Sequence, residues 1–151
     1  MDFFFLWFVA ALRAVLDASG AASWFTTAML VGGTAGGALL LGMTGGQSTG
    51  ATTDAVLLTA DTAIVSWRLA HGFFVAAEVA LAVFLGALSI LALRRFALPR
   101  WLGWFGAIVT VLLLIPPIGW AALLFLLPVW LIAASVILWR RSGFVSEPNA
   151  A

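Results

Sequence analysis

Four apolar stretches dominate the sequence, and each approaches the length needed to cross a lipid bilayer as a helix. They cover residues 24–43, 61–93, 101–115 and 120–139, and the second is almost continuously apolar from residue 72. About 20 apolar residues span the hydrocarbon core as an α-helix. Backbone groups in lipid must be paired internally, and no alternating strand pattern accompanies these stretches. The sequence therefore predicts an all-α fold, an integral membrane helical bundle with four transmembrane helices.

Composition agrees with a chain whose main partner is the lipid bilayer. Hydrophobic residues make up 64% of the 151 residues and charged residues only 9%, whereas soluble domains carry about 25% charged residues. The net charge of +1 does not indicate nucleic acid binding. Because the chain has no cysteine, disulfides and thiol chemistry are excluded. The abundance of alanine, glycine, leucine and valine is typical of a GC-rich bacterial genome.

The chain divides into three parts. Residues 1–19 begin with an intensely apolar run that stops at Arg13. A helix of ten residues is about 15 Å long, half the hydrocarbon thickness. This run therefore predicts an interfacial helix or the end of a truncated span, with a signal peptide as a less favoured alternative because Asp2 stands where a signal carries positive charge. Residues 20–141 form the transmembrane domain, in which residues 44–53 are predicted to be a polar, glycine-rich loop, and residues 142–151 form a polar cytoplasmic tail.

Arginine placement predicts the orientation. Basic residues accumulate in cytoplasmic segments. An even number of spans puts six arginines on one side: Arg13, Arg94, Arg95, Arg100, Arg140 and Arg141. We therefore expect a plasma (inner) membrane protein with both termini in the cytoplasm.

The basic hairpin at residues 94–106 contains the run Leu-Pro-Arg-Trp-Leu-Gly, and a second Leu-Pro-x-Trp run follows at residues 127–130. These motifs resemble an uncharacterised, actinobacterial-type family of bacterial multi-span membrane proteins, which place such a turn between two late spans. The resemblance covers about the last two-thirds of the chain. It implies one or two further N-terminal spans, with residues 3–12 as the end of a truncated span, and it implies no catalytic residue.

Closely spaced glycines mark a helix-packing surface on the first span. Glycines four residues apart leave a groove that another helix can approach closely. Two such pairs overlap here: Gly32 with Gly36, and Gly33 with Gly37. Packing inside the bundle is favoured, and a homodimer interface is the alternative.

Three ionisable residues share one face of the second span. Arg68, His71 and Glu78 fall within an arc of about 100° on a helix. Such a face is expected to point into the bundle or towards a cavity. Arg68 and His71 are expected to reach water, while Glu78 is expected about 9 Å inside the hydrocarbon edge with a protonated carboxyl.

Polar groups from other spans are expected to contact Glu78. Thr34 and Thr110 lie at comparable depths, and Pro128 is expected to kink the last helix and free the carbonyl of Leu124. Hydrogen bonds from Glu78 to these groups would indicate a structural role. A cavity reaching Glu78 from outside would indicate transport.

The sequence offers few residues for a metal site, a cofactor site or an enzyme active site. One histidine cannot build a mononuclear zinc site within one chain, and a haem held by two histidines would need His71 from each of two subunits. The sequence therefore predicts no cofactor, no metal and no enzymatic activity. The favoured function is a structural or accessory membrane component, with a homo-oligomer or a membrane-protein partner left open. The alternative is a small transporter or sensor that uses the Arg68, His71 and Glu78 face as a proton or cation relay.

Overall fold

The computed structural model describes residues 2–21, 23–52, 59–94 and 98–142, and across these residues the fold is all-helical with no strand. Arg95 of the basic turn and the tail beyond residue 142 lie outside the described residues. The helices are α1 (Asp2–Ala18), α2 (Ser23–Thr52), α3 (Ala60–Leu93), α4 (Arg100–Leu113), α5 (Pro116–Ala121) and α6 (Leu127–Ser142), and a π-helical turn, Ala122–Leu126, joins the last two.

Helices α2 and α3 form a long antiparallel pair whose close contacts run past glycines. A Cβ built on Gly32 would lie 2.6 Å from the backbone nitrogen of Phe84. Near the other end of α2, a Cβ built on Gly46 would lie 3.6 Å from the Cβ of Ala70. The expected loop at residues 44–53 is wrong over residues 44–52, because α2 continues to Thr52. Packing against α3 there outweighs the low helix propensity of glycine.

Helix α1 runs alongside α2 in the opposite direction. A Cβ on Gly33 would lie 2.9 Å from Val9, and one on Gly37 would lie 3.2 Å from Leu6. Leu16, Leu12 and Val9 are fully buried on this side of α1. Helix α1 therefore packs against the face of α2 that carries Gly33 and Gly37.

Helix α4 packs on the C-terminal half of α3, and α6 packs on α4. Gly106 lets α4 approach α3, since a Cβ there would collide with the Ser89 hydroxyl, and Ser89 itself bonds to the carbonyl of Leu85. The fully buried Trp130 of α6 donates from its indole nitrogen to the Leu102 carbonyl at 3.0 Å. These contacts fix how the helices lie beside one another. As a result, Arg94, Arg100 and Arg140 lie towards the same end of the bundle, which we call the arginine end.

The last helix differs from its prediction in two ways. It begins at Pro116 and not near residue 120, and the disturbance expected at Pro128 takes the form of the π-helical turn. Leu127 donates its N–H to Ala122, five residues back. A proline ring clashes with the carbonyl four residues earlier, and a wider turn relieves that clash.

Three helices are long and apolar enough to cross a membrane: Trp24–Ser48, Ala60–Leu93 and Pro117–Arg140. The helix predicted as the third span, Arg100–Leu113, is apolar but has only 14 residues. At 1.5 Å per residue it is about 21 Å long, shorter than the hydrocarbon core of about 30 Å.

Candidate functional site

Glu78 is buried where α3 meets the start of α5. The residue is 3% exposed, and among the described residues no group hydrogen-bonds to its Oε1 atom. Gly119 makes room for the carboxyl, because a Cβ on that residue would lie 2.8 Å from Oε1. The same Cβ would lie 2.9 Å from the Leu113 carbonyl, so Gly119 is confined from two sides.

A cleft of about 530 Å³ adjoins Glu78 on the side away from the arginine end. Helix α3 forms its long wall, the end of α2 forms a second wall, and the start of the α5–α6 segment closes its inner end. Its lining residues are Met43, Gln47, Trp67, Ala70, His71, Phe74, Val75, Glu78, Trp120 and Leu124. We call this cavity the Glu78 cleft.

The structure separates Arg68, His71 and Glu78 along α3. His71 lines the cleft two helical turns, about 10 Å, from Glu78 and is exposed at its outer part. Arg68 is exposed and does not line the cleft. No ion pair joins Arg68, His71 or Glu78 within the described part of the chain, where the ion pair is Arg13 with Asp17.

The two threonines expected near Glu78 bond within their own helices. Thr34 is exposed and donates to the Leu30 carbonyl at 2.8 Å. Thr110 donates to the Gly106 carbonyl, also at 2.8 Å, and its methyl group faces Gly86. Neither threonine lines the cleft beside the Glu78 carboxyl.

The four glycines of the predicted packing surface are covered by other helices of the same chain. Gly32 and Gly36 face α3, through Phe84 and Leu81 respectively, and Gly33 and Gly37 face α1. All four are buried. A second copy of the chain could reach this surface only by displacing α1 or α3.

The chemistry of the cleft centres on one carboxyl group. A carboxylate surrounded by apolar groups is unstable unless it holds a proton or meets a cation. Gln47 and His71 add polar atoms nearer the outer end, and the other lining residues are apolar or aromatic. Within the described residues, no three His, Asp or Glu side chains come together to hold a metal ion.

Sequence reasoning identified His71 and Glu78 but missed the residues from other helices. Gly119, Trp120 and Gln47 come to the cleft only through the tertiary fold. A glycine two residues after Pro116-Pro117 was the available signal for Gly119, since a helix start without a side chain often permits a close contact.

Comparisons with protein-family models, with curated proteins and with solved structures found no match to this chain.

Proposed function

We propose that this chain is a small multi-pass protein of the bacterial plasma (inner) membrane that binds a proton or a cation at Glu78 from the outer face, as a transporter or a sensor. The observation that carries this proposal is the buried, unpartnered Oε1 of Glu78 at the inner end of a cleft. The cleft is reached past the exposed side chains of Trp67 and His71.

A purely structural role, which the sequence favoured, is less well supported by this geometry. A carboxyl that holds helices together gains from hydrogen bonds across them. Leaving a buried polar atom unsatisfied costs about 1–3 kcal/mol. Glu78 carries that cost at Oε1, and the hydroxyls of Thr34 and Thr110 bond elsewhere. A proton would remove the charge of the buried carboxylate, and a bound cation would give Oε1 a partner.

The cleft extends from Glu78 in the direction away from the arginine end. Towards the arginine end, the next large buried side chains of α3 belong to the apolar core: Leu81, Phe84, Leu85 and Leu88. Ser89 is the next buried polar residue there, and its hydroxyl bonds to Leu85. This arrangement suits a site that exchanges with one side of the membrane.

The proposed topology has four crossings and both termini in the cytoplasm. Arg94, Arg100 and Arg140 support a cytoplasmic arginine end, since basic residues accumulate on that side. The third crossing needs the residues after Leu113 as well as α4 to approach the outer surface. The resemblance of the hairpin at 94–106 to an uncharacterised membrane family remains part of the proposal and adds no activity to it.

Infrared difference spectroscopy tests the proposal directly. The full chain is reconstituted into lipid bilayers, and the carbonyl stretch of a protonated carboxyl is followed as the pH or the cation concentration changes. We expect a titrating band that Glu78→Gln removes. Asp17→Asn serves as the matched control, because it removes one acid that lies exposed on α1, away from the cleft.

The outcomes separate the alternatives. A titrating Glu78 band together with proton or cation flux into liposomes identifies a transporter, and the same band without flux identifies a sensor. If Glu78→Gln folds normally and shows the same carboxyl bands as the parent at every pH and every cation concentration, Glu78 binds neither protons nor cations and the proposal is wrong.

A further inference from the structure

We propose that the Glu78 cleft binds an organic cation with an apolar body, such as an aryl- or alkyl-substituted ammonium or phosphonium. This inference rests on the proposed cation site at Glu78 and specifies the class of cation. The charged centre would lie towards the carboxyl, and the apolar body would lie along the walls of the cleft.

The size and lining of the cleft suit such a ligand. Pockets for small organic molecules typically measure about 300–1,000 Å³ and combine apolar walls with a few polar groups. The cleft measures about 530 Å³ and presents Trp67, Phe74 and Trp120 beside one acid. Aromatic faces attract cations, most strongly where water is excluded. Leu124 also lines the cleft from the π-helical turn, a feature frequent at functional sites.

A metal ion fits this lining poorly. Ca²⁺ takes six to eight oxygen ligands, and Mg²⁺ takes six in near-octahedral geometry. The side-chain oxygens of the cleft lining come from Glu78 and Gln47 alone. These two residues lie at opposite ends of the cleft, because the α2 segment around Gly46 packs at the level of Ala70, two turns from Glu78.

The position of the acid also argues against a phospholipid headgroup. A lipid in the outer leaflet keeps its ammonium group outermost and its chains deeper. In the cleft the order is reversed, since the acid lies at the inner end and the polar Gln47 and His71 lie nearer the outer end. A free cation that partitions into the interface can place its charge at the inner end, whereas a phospholipid would have to invert.

Binding of tetraphenylphosphonium tests the inference. Radiolabelled compound is equilibrated by dialysis with the purified full chain in detergent micelles or nanodiscs. The unlabelled competitors are triphenylphosphine oxide, which is similar in shape but uncharged, and MgCl₂. We expect saturable binding that Glu78→Gln weakens at least tenfold, because a buried charge pair loses one partner.

Two matched controls isolate the cleft. Asp17→Asn removes an acid elsewhere and should bind like the parent. Trp120→Ala should weaken binding several-fold, whereas Trp104→Ala, an exposed tryptophan outside the cleft, should not.

The results separate this inference from the proposed function. Saturable binding lost in Glu78→Gln and kept in Asp17→Asn supports the inference. Equal competition by triphenylphosphine oxide, displacement by MgCl₂ at equal ionic strength, or binding unchanged by Glu78→Gln would each overturn it. If the infrared band of Glu78 titrates while tetraphenylphosphonium shows no saturable binding, the inference fails and the proposed function stands.

Discussion

Replacing Gly32 by alanine should separate the central helix pair. The added Cβ would lie 2.6 Å from the Phe84 nitrogen and 2.8 Å from the Ala80 carbonyl oxygen. Both neighbours are backbone atoms of α3, so no side-chain rotation can relieve the contact. Carbon atoms pack best at about 3.5–4.0 Å, so α2 and α3 would have to move apart by about 1 Å at this point.

The expected cost follows from this displacement. Overpacking of a well-packed interior costs about 1–3 kcal/mol, and membrane helices associate largely through close packing. Alanine also gains intrinsic helix propensity over glycine. Gly45→Ala on the same helix shares that gain but adds its Cβ where no atom lies within 4 Å, so it is the matched control.

The measurement is unfolding of the purified variants in mixed micelles with a rising fraction of SDS, followed by far-UV circular dichroism. Gly32→Ala should lose about 1–3 kcal/mol relative to Gly45→Ala. Gly33→Ala should lose less, because its Cβ would meet the side chains of Val9 and Phe84, which can shift. Equal stability of Gly32→Ala and Gly45→Ala would show that α2 and α3 do not approach each other in this way.

Three further predictions concern other parts of the molecule. Trp130→Phe removes the hydrogen bond to the Leu102 carbonyl and should lower the free energy of unfolding in the same SDS assay by about 0.6–2 kcal/mol; no loss would mean that this bond contributes nothing. Gly119→Ala should displace the Glu78 carboxyl and abolish tetraphenylphosphonium binding, which normal binding in dialysis would contradict. Reporters fused after Gly143 should be fluorescent as green fluorescent protein and inactive as alkaline phosphatase; the reverse pattern would place the C-terminus outside.

The helical class was predictable from sequence because long apolar runs leave the backbone few alternatives in lipid. The extent of α2 was not. Residues 44–52 combine low helix propensity with polar side chains, and they are helical where α3 packs against them. Gly46, for example, would place a Cβ 3.6 Å from the Cβ of Ala70. Such contacts belong to the tertiary fold, and local propensity does not report them.

The candidate site was predictable from sequence only in part. Helical periodicity brought His71 and Glu78 onto one face, and both line the cleft. The periodicity also included Arg68, which lies at the edge of that arc and does not line the cavity. The positions of Thr34 and Thr110 along their helices predicted their depth in the bundle but not the direction in which their hydroxyl groups point. A threonine in a helix readily bonds to the carbonyl four residues back, as both do here.

The tip of the α4–α5 hairpin, residues 114–119, lies near the level of Glu78. Residues 114–119 carry no polar or charged side chain, and Leu114 and Ile118 are about half exposed. Their backbone needs no water as a donor partner: the N–H groups of residues 114, 115, 118 and 119 are bonded within the hairpin, and the two residues between are prolines. A tip of this kind is suited to lipid. Glu78 contacts Gly119, which lies about 5 Å along α5 from its first residue. Helix α3 extends about 27 Å from Glu78 to its own first residue, in the direction away from the arginine end. The carboxyl therefore lies near the level at which α4 ends and α5 begins, beside α2 and α3, which continue further from the arginine end. This difference in helix length forms the cleft.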